Sequence, residues 1–173
     1  GPVGLAARHR VPITVRGAGT GNYGQSLPLA GGFVIDITAI AGVQFISDRR
    51  IAVLPGTIMA DAEKAANLHG RELAVMPTTF PVATAAGFVC GGSGGIGAAS
   101  NGDLWNDNVL AVELMTAEER PRWIRLEGPD VGRVLHTYGT VGVVIGVEFR
   151  LVQRGPGPLP RPDQPHRVPL SRR

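Results

Sequence analysis

The chain has little of what would place it quickly. Its single cysteine, Cys90, rules out an internal disulfide framework and leaves the compartment open, with the cytoplasm as the default expectation. No apolar run approaches the ~20 residues that a membrane helix needs. Nor does a basic start with an apolar centre mark a secretory leader. The stacking aromatics of RNA-binding modules are missing. The net charge of +3 is not a basic patch either, because residues 154–173 hold five Arg and one Asp and the rest is close to neutral. Nucleic acid and a membrane span are therefore not expected as partners. At 173 residues the chain is long enough to bury one sizeable core.

What is present is a glycine loop behind a β-branched run. Residues 16–24 read RGAGTGNYG, with four glycines and a threonine, and follow the strand-like residues 11–15, VPITV. Such a loop can bring bare backbone N–H groups against a phosphate, since Gly reaches φ > 0 at little cost and has no side chain to hold a ligand away. The first expectation is a dinucleotide pyrophosphate loop. Residues 19–24 also spell G-x-G-x-x-G, but a Rossmann loop must open a helix. Here Pro28 and the Gly31-Gly32 pair break any helix within its second turn, and the chain runs instead into a second strand at 33–37.

Four blocks in order then resemble the FAD-binding domain of the vanillyl-alcohol oxidase and p-cresol methylhydroxylase (PCMH-type) family, as in glycolate oxidase D-subunits and D-lactate dehydrogenases. They are RGAGTGNYG at 16–24 with the strand from Gly32 to Asp36, IAVLPG at 51–56, MPTT at 76–79 continuing through ATAAGFVCGGSGG at 83–95, and YGTVGVV at 138–144. The fold expected is α+β, with a small parallel subdomain, a larger antiparallel one and the dinucleotide between them. Residues 1–153 would form this domain. The Pro/Arg-rich residues 154–173 read as an extended, solvated tail, because alternating Pro sustains neither helix nor ladder. Family members begin with a strand and a helix before the loop. Residues 4–9 look like the last turns of that helix, so a truncated start is expected, with the first strand missing.

Between these blocks the pattern is mixed. Thr57 is expected to cap a helix over 58–69, with Gly70 as its stop and Ile58, Ala62, Ala65 and Ala66 on its covered face. Residues 108–116 alternate as a strand, residues 122–126 look like its hairpin partner, 129–138 read as a short helix and 141–152 as a long apolar strand. His69 and His136 fall on the expected helices and are taken as solvated or packed groups, not catalytic ones.

The resemblance implies a site. The N–H groups of Gly17, Ala18, Gly19, Thr20 and Gly21 would bind the pyrophosphate, with Arg16 and Asn22 in the same loop and a hydroxyl donor on Thr20. Pro77, Thr78, Thr79 and Thr84, with Cys90, Gly91, Gly92 and Ser93, would bring backbone and hydroxyl groups to the flavin ring and pyrophosphate. Cys90 itself reads as a small buried filler without a resolving partner. Gly139, Thr140, Gly142, Val143 and Val144 resemble the turn that recognises adenine and ribose. Covalent branches of the family carry His where this chain has Thr20, which implies noncovalent FAD. No metal site is expected. Flavin chemistry needs few protein acids or bases, and none stands out here. The expected function is the FAD-binding domain of an oxidoreductase acting on a 2-hydroxy acid, with substrate groups from a missing cap domain or partner subunit. The alternatives are a noncatalytic FAD-holding subunit or remnant and a fragment like UDP-N-acetylenolpyruvoylglucosamine reductase.

Overall fold

The computed structural model describes residues 1–155. Apart from Arg154 and Gly155, the expected tail lies outside the described residues. The chain opens with helix α1 (Pro2–His9), in which Pro2 occupies the first turn, where its missing N–H is no loss. The helix stops at Arg10, left-handed at φ 54°. It packs on the loop between two later strands, since a Cβ on Gly4 would lie 2.5 Å from the Glu119 carbonyl oxygen.

Strands β1 (Ile13–Arg16) and β2 (Phe33–Asp36) pair in parallel, Ile13 opposite Phe33 and Arg16 opposite Asp36. The glycine loop and the segment behind it, 17–32, contain no helix, as the Pro28 and Gly31-Gly32 argument requires. Gly32 is needed at the entry to β2: its φ is +88°, and a Cβ there would lie 2.1 Å from the Pro12 carbonyl oxygen.

The second layer is an antiparallel sheet built on β8 (Val143–Gln153), with β3 (Val43–Ile46), β4 (Arg50–Val53), β6 (Val109–Met115) and β7 (Trp123–Glu127) in the order β3-β4-β8-β6-β7. The short β5 (Arg71–Leu73) pairs with the far end of β8. Helices α2 (Met59–Asn67) and α3 (Ala85–Gly91) contribute to the core with this sheet, and α4 (Ala98–Asn101) is a single turn. Phe149, Ile51, Met59, Val53 and Val112 are at most 1% exposed, and Phe88 of α3 stacks on Phe149 with centroids 6.3 Å apart. Another face of the sheet carries charge. Arg125 there holds Glu113, Glu127 and Glu148, and Glu148 also binds Arg50.

Several expectations are corrected. Thr57 does not cap α2. It is buried and clips a neighbouring turn, its Oγ1 accepting from the Gly42 N–H at 2.9 Å and donating to the Gly42 oxygen at 3.1 Å, so the helix starts at Met59 behind Ile58. The helix also ends at Asn67, leaving His69 past its end with Nδ1 3.0 Å from the Ala65 oxygen. Residues 85–91 are a helix rather than part of a glycine loop, because Thr84 caps them through the Gly87 N–H at 3.2 Å and their apolar side chains reach the core. The expected helix over 129–138 is a 3-10 segment, Gly128–Arg133, and His136 sits beyond it at φ +61°. Strands β3 and β5 and helix α4 were not expected.

Candidate functional site

β1, α3 and the turn after the 3-10 segment meet around a cavity of about 310 Å³, within the range of small-molecule sites. The first glycine loop forms one wall with Gly17, Ala18, Gly19, Thr20, Gly21 and Asn22; Pro77, Thr78, Thr79 and Thr84 form another, and Cys90, Gly91 and Ser93 a third. The loop is seated directly on the cap of α3. A Cβ on Gly17 would stand 2.3 Å from Thr84 Oγ1, so only glycine lets the two approach. Gly19 has φ +70°, the left-handed region that disfavours side chains. Gln25 folds back over Gly21 and accepts from the Tyr23 N–H at 3.2 Å.

Two sequence-predicted residues support this wall without lining it. Arg16 lies behind Gly19, its Nη2 3.3 Å from where a Cβ would be, and its charge helps hold the Asp36 carboxyl low. The larger causes for Asp36 are its hydrogen bonds from the Thr38 hydroxyl and N–H, at 2.5 and 2.8 Å. Gly92, at φ +62°, ends α3 and leaves room for His136. Gly139, Thr140, Gly142, Val143 and Val144 are not brought to the cavity lining. Thr140 closes its own turn onto the Thr137 oxygen, Gly142 fits against the Met115 carbonyl, Val143 pairs with Met115 in the sheet, and Val144 is core. The residue just before them, Tyr138, does line the cavity.

The cavity was only partly legible. Val15, Tyr23, Gln25, Ser26, Ala83, Gly87, Phe88, Gly94 and Tyr138 also line it. Gly94 could have been read from its place in the second glycine run. Tyr23, Ala83, Gly87, Phe88 and Tyr138 stand inside the quoted blocks but were given no role there, and Val15, Gln25 and Ser26 come through tertiary contact and leave no local signal.

The chemistry of the lining is one-sided. No Lys, Arg, His, Asp or Glu lines it among the described residues. None of the six N–H groups from 17 to 22 donates to another group of the protein among those residues. An arc of unclaimed N–H donors with the hydroxyls of Thr20, Thr78, Thr79, Ser26 and Ser93 suits an anion held without a counter-charge. Gly91 and Gly94 line the same space, and a Cβ on either would meet nothing within 4 Å. Packing does not demand glycine at these two positions; they leave bare backbone for a ligand. Burial pushes the Cys90 thiol up to about 11, against a smaller opposing hydrogen bond from Gly139, so at neutral pH it is an uncharged thiol. No group of three or more His, Cys, Asp or Glu that could hold a metal occurs among the described residues. No described helix is long and apolar enough to cross a membrane.

A parallel pair joined to an antiparallel sheet, with a charge-free cavity walled by two glycine segments, is the arrangement expected of a PCMH-type cofactor-binding domain. A family profile described as the FAD binding domain matches residues 3–125. The chain belongs to that family. It is 29% identical over 115 residues to the glycolate oxidase subunit GlcD of Bacillus subtilis, covering 65% of this chain and 24% of that protein. It is 29% identical over 117 residues to a D-lactate dehydrogenase of Archaeoglobus fulgidus, covering 67% of this chain and 26% of that one. The chain thus spans about a quarter of the length of these relatives. Alkyldihydroxyacetonephosphate synthase, in one crystal form, superimposes with a TM-score of 0.74 at 21% identity over 86% of this chain and 28% of its own. That likeness shows the fold.

Proposed function

We propose that this chain holds FAD without a covalent bond, as the cofactor-binding part of an oxidoreductase that converts a 2-hydroxy acid to a 2-oxo acid. The observation that carries the reading is that residues 17–22, whose six N–H groups have no protein acceptor among the described residues, line a cavity without charged side chains. The residues present fit the group. The N–H groups of Gly17, Ala18, Gly19, Thr20 and Gly21 take the pyrophosphate, with the Thr20 hydroxyl as a further donor. Pro77, Thr78, Thr79 and Thr84 and the bare backbone of Gly91 border the ring, and Cys90 fills space beside it as a neutral thiol. Thr20 cannot form the covalent link that a His at this loop position makes in resembling branches. FAD, when bound, supplies the hydride acceptor, and this chain's work is to bind and orient it.

Oxidation of a hydroxy acid also needs a base for the hydroxyl proton. The lining supplies no His, Lys or carboxylate, so the base and the substrate contacts come from a further domain or a partner subunit. The same observation favours a second reading, in which the chain is an FAD-holding subunit without turnover of its own. The test is to titrate FAD into the purified chain, precipitate with acid, and mix the loaded chain anaerobically with glycolate or D-lactate. Expected are one FAD per chain, all colour in the supernatant, and no bleaching until the missing part is added. Flavin retained on the precipitate overturns the noncovalent assignment. Rapid bleaching by the chain alone overturns the assignment of the base elsewhere.

A further inference from the structure

The chain has two tyrosines, and both line the cavity, Tyr23 from the first glycine loop and Tyr138 from the turn beyond the 3-10 segment. Their rings meet edge to face with centroids 6.3 Å apart and planes at 73°, inside the range where aromatic pairs attract. Tyr23 is 82% exposed, so burial does not hold its ring. Tyr138 is fixed far more firmly. Its hydroxyl lies 2.7 Å from His136 Nε2, the two rings stand 5.0 Å apart, and His136 in turn meets the indole of Trp105 at 6.3 Å.

The backbone adds to the constraint. His136 and Tyr138 sit at φ +61° and +54°, a region that opposes any residue with a side chain. Their N–H groups donate to the Val89 and Cys90 oxygens at 3.3 and 2.9 Å, which pins the turn to the end of α3. Gly92 makes the room, since a Cβ there would stand 2.3 Å from that of His136. Neither tyrosine ring belongs to the buried core. Core packing therefore does not explain why an imidazole, two left-handed residues and a glycine hold Tyr138 at the cavity.

We infer that Tyr23 and Tyr138 together form an angled aromatic wall against which a planar heteroaromatic ring of the ligand lies, with His136 as the positioning residue that fixes the Tyr138 phenol. This rests on the FAD reading and deepens it: the loop N–H groups take phosphate, and the tyrosine pair takes a ring. FAD carries two such rings, adenine and isoalloxazine. ADP offers only the first, FMN only the second, and inorganic pyrophosphate neither.

The experiment titrates FAD into the parent chain and into Tyr23→Ala, Tyr138→Ala, Tyr138→Phe and His136→Phe, with ADP, FMN and pyrophosphate as competitors. Tyr23→Ala keeps the test sound if the strained turn fails to fold around Tyr138→Ala, because Tyr23 is exposed. Each alanine variant is expected to weaken FAD about tenfold, the size of ring-stacking losses elsewhere, and to weaken ADP or FMN to the same degree while leaving pyrophosphate unchanged. The competitor that loses affinity identifies the ring. Tyr138→Phe keeps the ring and should cost less than roughly threefold. His136→Phe should weaken FAD in the parent and do nothing further in a Tyr138→Phe background, a coupling that loss of general stability would not give. Unchanged FAD affinity in Tyr23→Ala, or an equal loss for pyrophosphate, overturns the aromatic wall. Absence of any saturable FAD binding to the parent chain overturns the FAD reading, and the aromatic wall with it.

Discussion

The parallel pair β1–β2 and the antiparallel sheet on β8 come from the same chain but are held in different ways. Along β8 most positions are buried and along β6 four of seven are. Along β2 three of four are exposed and none of the four is fully buried; Phe33 and Val34 are 43% and 46% exposed. Parallel sheets are ordinarily covered on both faces, and this pair is not. The sheet supplies stability, and the thinly covered pair carries the loop whose backbone faces the cavity. Besides Val15 and Ile35, which pack against the core, the two approach closely at glycines: Gly17 on the Thr84 hydroxyl, and Gly56, where a Cβ would lie 2.1 Å from the Ile37 oxygen.

The sharpest way to break this contrast is to remove side chains on each side of it. Phe149→Ala, in the sheet's core and under Phe88, is expected to cost about 3–5 kcal/mol in denaturant unfolding. Val34→Ala in β2 should stay within about 0.5 kcal/mol. Similar losses at both positions would show that the pair is as much a part of the core as the sheet.

Gly19→Val should do the reverse, leaving the circular dichroism spectrum intact while weakening FAD on the order of a hundredfold, as expected when one or two charge-assisted hydrogen bonds are lost. Its φ of +70° forbids the branched side chain an easy conformation. Full FAD content in a folded variant would remove the loop from the site.

Cys90 tests the wall between the two regions. With its thiol pushed up to about 11, the thiolate that reacts is scarce, so alkylation at pH 8 should run about a hundredfold slower than for a free thiol. The rate should climb about tenfold per pH unit up to pH 10, and bound FAD should slow it further. A rate already level by pH 9 would contradict the burial that raises it.

The smallest effect lies far from the cavity. Burial raises the Glu63 carboxyl, against hydrogen bonds from the Leu73 N–H and the Asn67 amide, and Asn67 Oδ1 is buried without a partner among the described residues. Glu63→Gln removes the charge that burial opposes while still accepting from Leu73, at the cost of the acceptor for the Asn67 amide, and should stabilise by no more than about 1 kcal/mol at neutral pH. The sign with pH follows from the raised value: the native state prefers the protonated acid, so the parent gains as pH falls through it and the advantage of Gln shrinks. An advantage that grows on acidification would contradict this.

Much of the site was legible because bare backbone must be written into sequence as glycine. Gly17, Gly19, Gly21 and Gly91 announced themselves, and the Pro28 break excluded a Rossmann helix before any geometry was known. The helix of α3 was hidden because its seven residues end in Gly91 and run into Gly92 and the glycines after it, and its cap, Thr84, reads equally well as a loop hydroxyl. Thr57 has the residue type of a cap but a tertiary partner in Gly42 that no local pattern reveals. Tyr23 and Tyr138 were passed over for the same reason, since only the fold brings them together. The turn at 139–144 was recognisable as a turn, but Gly142 fits it against the sheet and Val143 and Val144 belong to the sheet.

Hydrogen exchange with and without FAD tests the central claim most directly, because it reads both walls and the sheet in one measurement. Residues 17–22 have N–H groups with no protein partner among the described residues, so they should exchange fast in the free chain and slow markedly when FAD is added. Residues 77–79 and 90–94 should slow with them, while β6 and β8 stay as they were. Unchanged exchange at 17–22 in a chain saturated with FAD would contradict the account, since the cofactor would then be bound without the backbone that is said to hold it.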